Sequence, residues 1–136
     1  MRGYTLLELL VTMAIGASMM ALVLPLAQQT VERQGVARDV ARLQQLLVVR
    51  AQYAWLHGQP EQWLLEGNIV TGGPRQGDLR SHDFPYLDLP RQDVAMDDSG
   101  RIYPDVLHWR PRSAGAAAPW RRMALQNGHD LAWSAP

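Results

Sequence analysis

From Leu9 to Ala27 the chain carries 19 consecutive uncharged residues, mostly Leu, Val, Ala, Met and Ile. At about 1.5 Å of rise per residue this run makes about 28 Å of helix. With Tyr4 to Leu7 added, that is enough to cross a bilayer core of about 30 Å. The preceding flank, Met1-Arg2-Gly3, is positive, which keeps the N-terminus cytoplasmic and exports the rest of the chain. A removable secretory signal has a shorter apolar region, about 7–15 residues, and a small-x-small site. Here the run ends in Leu24-Pro25-Leu26-Ala27-Gln28. A simple anchor fits the length but leaves Glu8 unexplained. A buried helix of a soluble protein would be hard for so small a domain to surround.

The clustering makes whole-chain averages misleading. The 136 residues hold 13 Arg, 13 Asp plus Glu and no Cys, and 47% are apolar. Zero net charge counts against a bulk polycation acting on nucleic acid or anionic lipid. The absence of Cys excludes a disulfide scaffold, a zinc-thiolate site and a thiol nucleophile. Yet 18 of the 24 residues from Tyr4 to Ala27 are apolar, against 45 of 109 from Gln28 to Pro136. The second fraction is ordinary for a soluble domain.

Glu8 is the informative residue. A carboxylate within an apolar helix costs about 2.5–3.5 kcal/mol on insertion scales and is functional by default. The stretch Arg2-Gly3-Tyr4-Thr5-Leu6-Leu7-Glu8-Leu9-Leu10-Val11 resembles the prepilin signature of type IV pilins and type II secretion pseudopilins. The resemblance implies that a dedicated inner-membrane peptidase cuts after Gly3 and that Tyr4, in place of the more usual Phe, is N-methylated. It implies that Glu8 meets the α-amine of a neighbouring subunit in a filament. Such a pair makes electrostatic sense, because each charge lowers the cost of burying the other. It also places Pro25 where pilin helices often carry a kinking proline, which removes one backbone donor and clashes with the preceding turn.

Past the span, Val36, Val40, Leu43, Leu47, Ala51 and Ala54 recur at helical spacing. Arg33, Arg38, Arg42, Gln45 and Arg50 occupy other faces, Gly35 is a weak point, and Gly58 and Pro60 form a stop. One helix is therefore expected from about Thr5 to His57. Strands are expected at 62–70, 86–89, 94–96, 101–103, 106–110, 121–126 and 131–133. Turns fall at Asp97-Asp98-Ser99-Gly100 and Gln126-Asn127-Gly128-His129, and loops at 71–82 and 113–119. The expected fold class is α+β, a pilin-like long helix packed on a small, mainly antiparallel sheet. The expected organisation is a leader at 1–3, a transmembrane and assembly helix at 4–27 and a periplasmic domain at 28–136. That domain divides into an amphipathic helix at 28–57 and a β-rich part at 58–136.

The remaining constellations read as structure. His57, His82, His108 and His129 have no metal-ligand spacing. Asp93, Asp97, Asp98 and Asp105 lack the spacing of a calcium cage, although major pseudopilins bind Ca²⁺ in a C-terminal acidic loop, so a solvated turn is favoured. Arg110, Arg112, Arg121 and Arg122, with Trp109 and Trp120, could hold DNA phosphates and stack bases. A pair of strand faces with Arg outward and Trp inward is favoured over that surface. No Ser/His/Asp set, paired-carboxylate pocket or phosphate loop is readable, so no enzyme, cofactor or metal is expected.

Residues 41–52, the Gly58-Gln59-Pro60 turn, the following Trp-containing strand and Val106-Leu107-His108-Trp109-Arg110-Pro111 look like the H-type minor pseudopilin of type II secretion. The resemblance implies a single-pass inner-membrane protein, N-terminus cytoplasmic and C-terminal domain periplasmic. It would be a structural subunit at or near the tip of a pseudopilus that helps export folded proteins across the outer membrane. Implied partners are other pseudopilins or pilins, the prepilin peptidase, an inner-membrane assembly platform and secreted substrate proteins. The alternative is a minor pilin of a type IV pilus, including a DNA-binding subunit for DNA uptake.

Overall fold

In a computed structural model, residues 5–75 and 77–125 are described. The first element, α1, spans Leu6–His57 and continues through Pro25. The chain divides into two compact units, 1–34 and 35–136, and α1 enters both.

In the first unit every described residue is exposed. Its apolar window is long and apolar enough to cross a membrane, and none of it is buried within the chain. The hydroxyls in it are satisfied by the helix itself. Thr12 donates to the Glu8 and Leu9 carbonyls at 3.0 and 2.9 Å. Ser18 donates to Ala14 at 2.8 Å and Thr30 to Leu26 at 2.9 Å. Among the described residues, this return bonding gives each of these hydroxyl protons an acceptor within its own helix.

In the second unit α1 buries Gly35, Asp39, Leu43, Leu47, Ala51 and Ala54, with Val36, Val40 and Leu46 packed beside them. The expected stripe is present, and its spacing explains it: every third or fourth position faces the sheet. Gly58 ends the helix at φ 60°. Gln59 N–H reaches the Ala54 carbonyl at 3.1 Å and Gly58 N–H the Trp55 carbonyl at 3.4 Å. These two bonds form a Schellman cap, which glycine favours because it takes positive φ without a Cβ penalty.

Seven antiparallel strands complete the described chain: β1 Glu61–Gly67, β2 Ile69–Pro74, β3 Arg80–Asp83, β4 Leu87–Met96, β5 Ile102–Tyr103, β6 Val106–Pro111 and β7 Arg121–Ala124. Their order is β3-β2-β1-β4-β6-β7, with β5 also on β4. The single strand expected at 62–70 is instead a hairpin turning at Asn68, since β1 and β2 pair from Glu61–Pro74 to Glu66–Ile69. The expected loop at 71–82 holds the end of β2 and most of β3. Gly72 and Gly73 give this segment a loop-like composition. A Cβ at Gly72 would lie 2.3 Å from the Gln62 carbonyl and 2.6 Å from Trp63, so this glycine serves close strand packing. The segments at 86–89 and 94–96 join into β4. Pro90 lies where the β1–β4 register shifts, a place where a missing donor is tolerated. The Asp97–Gly100 turn links β4 to β5 as expected. The expected strand at 131–133, the turn at 126–129 and Gln126 lie outside the described residues.

The core joins Leu43, Leu47, Ala51 and Ala54 of α1 to Trp63, Leu65, Val70, Phe84, Leu87, Leu89, Val94, Met96, Ile102 and Leu107. Each large apolar side chain buried here stabilises by about 1.5–3 kcal/mol.

Candidate functional site

Gly3 and Tyr4 lie outside the described residues. Directly after them, Thr5 and Glu8 form a reciprocal pair at the start of α1. The Glu8 carboxylate accepts from Thr5 N–H at 3.1 Å and from the Thr5 hydroxyl at 3.4 Å. Glu8 N–H donates to the Thr5 hydroxyl at 3.3 Å. This is a capping box, which satisfies two of the four unmatched donors at a helix N-terminus. Sequence reasoning singled out Glu8 and missed Thr5, although Thr-x-x-Glu before an apolar run is the signal for it. A carboxylate here also complements the helix dipole. Glu8 thus has a local role within its own helix.

Two buried acids also escape the sequence. Glu61 is 1% exposed and forms a two-pronged ion pair with Arg50, through Arg50 Nε at 3.0 Å and a second contact from Nη2. The Trp63 indole N–H donates to the same carboxylate at 2.9 Å. The guanidinium lies 4.6 Å from the Tyr53 ring centre and 5.8 Å from that of Trp63. Arg50, expected on a non-core face, turns inward because Glu61 needs a cation. Asp39, 2% exposed, accepts from Tyr86 N–H at 3.0 Å. The Tyr86 ring lies against Gly35, where a Cβ would fall 2.7 Å from it. Gly35 is therefore a contact point for the 84–86 turn, more than a weak spot in the helix.

The four C-terminal arginines do not share one face. Arg110 pairs with Asp88 at 2.5 Å, donates to the Ala116 carbonyl at 2.5 Å and lies 4.1 Å from the Trp120 ring centre. Arg121 stands opposite Trp109 on β6 and lies 5.4 Å from that ring. Arg122 stands opposite His108, and Arg112 opens a short 3₁₀ turn. Trp109 is buried as expected, but Trp120 is 40% exposed under its arginine. Both arginines cover aromatic faces, a cation–π arrangement.

Of the acidic stretch, Asp97 and Asp98 lie in the turn after β4, whereas Asp93 lies on β4 opposite Leu64 and Asp105 between β5 and β6. One oxygen of Asp97 accepts from Ser99 N–H at 3.0 Å, the Ser99 hydroxyl at 2.6 Å and Arg101 N–H at 2.9 Å. Burial pushes the Asp97 pKa up, but these bonds and the Arg101 charge outweigh it and hold the carboxyl below its ordinary value. Among the described residues no three His, Asp or Glu side chains converge to hold a metal. His57 stacks on Tyr53 at 3.9 Å. His108 N–H donates to the Gln92 side chain at 3.2 Å. His129 lies outside the described residues.

The arrangement is a pilin-like α+β fold: one long N-terminal helix, apolar at its start, and a small antiparallel sheet. Residues 1–24 match the family described as the prokaryotic N-terminal methylation motif. Motif, helix and sheet together are consistent with the type IV pilin and pseudopilin superfamily. Proteins with this motif are processed by a prepilin peptidase and assemble with other pilins. No curated protein and no solved structure matches the chain.

Proposed function

We propose that the chain is a minor pseudopilin of H type, a structural subunit at or near the tip of a type II secretion pseudopilus. The observation that carries this reading is the methylation motif at residues 1–24, leading into an apolar helix exposed on every side. In this reading the peptidase cuts after Gly3 and Tyr4 receives the methyl group. The span from Tyr4 to Ala27 holds the subunit in the inner membrane, and the domain from Gln28 onward is periplasmic. Pro25 loosens the helix during packing. Glu8 leaves part of its capping role to meet the α-amine of a neighbour, which sets the axial register of the bundle. The sheet domain presents the surface for other pseudopilins, the assembly platform and secreted proteins. The H-type assignment is supported by the helix at 41–52, its Gly58 stop and the Trp63-bearing strand β1.

Mass spectrometry of the membrane-extracted protein should find residues 1–3 removed and a methyl on Tyr4. Intact Met1 in cells that hold the peptidase would sink the pilin reading. Glu8→Ala should still be inserted and cleaved but enter filaments poorly. Deleting the chain should lower export of folded proteins and spare piliation and DNA uptake; the opposite pattern would reassign it to a pilus.

A further inference from the structure

A groove of about 290 Å³ runs between β3 and α1, lined by Arg42, Gln45, Leu46, Val49 and His82. It lies wholly within the second unit. β3 pairs only with β2 among the described residues, so one side of its backbone is open. The ladder phase says which groups face out. Phe84 N–H donates to the Asn68 carbonyl at 2.8 Å, which makes Asn68–Phe84 a hydrogen-bonded pair and, two residues along, Val70–His82 another. Ser81 and Asp83 therefore turn their N–H and C=O groups to the open side. The Asp83 carbonyl already accepts from Arg42 there, at 3.4 Å.

The helix-facing side chains at this edge are mostly basic and apolar. Arg80 and His82 stand opposite Gly72 and Val70, both buried, so they share the helix-facing side. Among the described residues the salt bridges are Arg50–Glu61 and Arg110–Asp88, which leaves Arg42 and Arg80 without a carboxylate. Asp83 engages Asn68 through its side chain. Burial, then the charges of Arg42, Arg80 and Arg50, hold the His82 pKa below its ordinary value, as an electropositive groove should. Beside these cations Val49 is 50% exposed.

We propose that this groove is a strand-addition site, where an extended acidic segment of a different protein pairs with β3. Its backbone would bond Ser81, one carboxylate would meet Arg42 and Arg80, and an apolar side chain would rest on Leu46 and Val49. This mode takes affinity from main-chain bonds and specificity from alternate side chains. A second copy of this chain is the wrong occupant. The strands at the two ends of the described sheet carry Arg80 on β3 and Arg121 and Arg122 on β7. Edge-to-edge pairing of copies would set cation against cation. The shortness and charge of β3 guard against unselective pairing and leave it open to a strand of opposite sign.

The test uses the full chain in detergent and fluorescence anisotropy of a labelled eight-residue peptide. The peptide carries Glu and Val in turn at every second position, with Thr between. Binding should weaken at least about tenfold in Arg42→Gln combined with Arg80→Gln, as expected for loss of close charge pairs. It should weaken similarly when Gln replaces Glu in the peptide, or when Pro replaces its central Thr. Arg91→Gln, an exposed charge on β4, should bind as wild type, and melting curves should show all variants folded. Equal binding of the Gln or Pro peptide, or no effect of the double substitution, would overturn the proposal. So would displacement by an oligothymidylate at equal concentration, which would mark the cluster as a general polyanion site. These outcomes are independent of Tyr4 methylation, so failure here leaves the filament reading standing.

Discussion

Two stretches of α1 share one backbone and differ in everything around it. Between Leu6 and Gln34 every residue is exposed. From Gly35 onward the helix buries a stripe of six positions, one of them the acid Asp39. From Leu9 to Ala27 the first stretch is uncharged and apolar all round, as suits a helix that lipid or neighbouring helices must solvate. The second is apolar on one side only, because a sheet covers that side and water the rest. The difference teaches that polar groups follow opposite rules in the two stretches. In the first they bond back to their own helix, as Thr12, Ser18 and Thr30 do. In the second they reach across to other elements, Asp39 to the 84–86 turn and Arg50 to β1.

The sharpest way to break this comparison is to remove one partner from a cross-element pair. Glu61→Ala would leave the Arg50 guanidinium, 11% exposed, without its carboxylate, and the Trp63 indole N–H without an acceptor. The expected loss is about 3–5 kcal/mol. For a domain of this size that lowers the melting temperature by more than about 12 °C. Arg50→Met combined with Glu61→Leu should recover most of it, because the desolvation penalty leaves with the charges. Glu8→Ala, at an exposed position, should leave that melting transition where it is. A small effect of Glu61→Ala would show that the pair contributes little.

The two helix glycines give the next contrast. Gly35→Ala drives a methyl into the Tyr86 ring, and the turn must shift to admit it. We expect about 1–3 kcal/mol of destabilisation, as for overpacking elsewhere. At Gly16 an added methyl would have nothing within 4 Å, so Gly16→Ala should be neutral or stabilise by up to about 1 kcal/mol through helix propensity. Tyr86→Leu should relieve much of the Gly35→Ala cost. Equal effects at the two glycines would erase the distinction between the stretches.

A smaller effect belongs to the capping box. Thr5→Val removes the hydroxyl and should cost about 1 kcal/mol of first-turn stability. Amide exchange at Glu8, whose N–H bonds the Thr5 hydroxyl, should quicken in detergent by about fivefold, the factor that this loss of stability implies. Glu8→Gln should keep the cap, since Gln serves at that position, yet lose the charge a filament neighbour would read. Slow exchange with poor assembly in Glu8→Gln would separate the two roles; fast exchange would deny the cap.

What the sequence makes legible falls along the same division. The apolar run, the methylation motif and the helix to His57 are readable because periodicity and uninterrupted apolar length are local properties. The stripe from Leu43 to Ala54 is readable for the same reason. The β1–β2 hairpin is not, because Gly72 and Gly73 look like loop residues until Trp63 lies against the strand. Arg50, Glu61 and Asp39 escape because charge at a core position has no local signature; only the fold supplies the partner. Thr5 escapes although its spacing to Glu8 is in plain view, because the prepilin resemblance assigns Glu8 to a neighbouring subunit and calls for no second partner.

The last contrast is electrostatic and should be the smallest. His82 is held below its ordinary pKa near 6.5 by burial, then by Arg42, Arg80 and Arg50. As pH falls, the unfolded chain therefore takes up this proton before the folded chain does. Between the two pKa values the unfolded state binds more protons, so stability rises with pH. The contribution is full above about pH 6.5 and is lost as pH falls from there through the folded value. Because His82 is partly exposed, screening keeps the effect under about 1 kcal/mol. Wild type should melt slightly lower at about pH 5.5 than at about pH 7.5, and His82→Gln should show a flatter dependence. Taking the difference between the two proteins isolates the contribution of position 82. Added salt should shrink the difference, since part of it comes from arginine charges near the surface. A steeper acid loss in His82→Gln would reverse the sign and show that the folded groove favours the protonated ring.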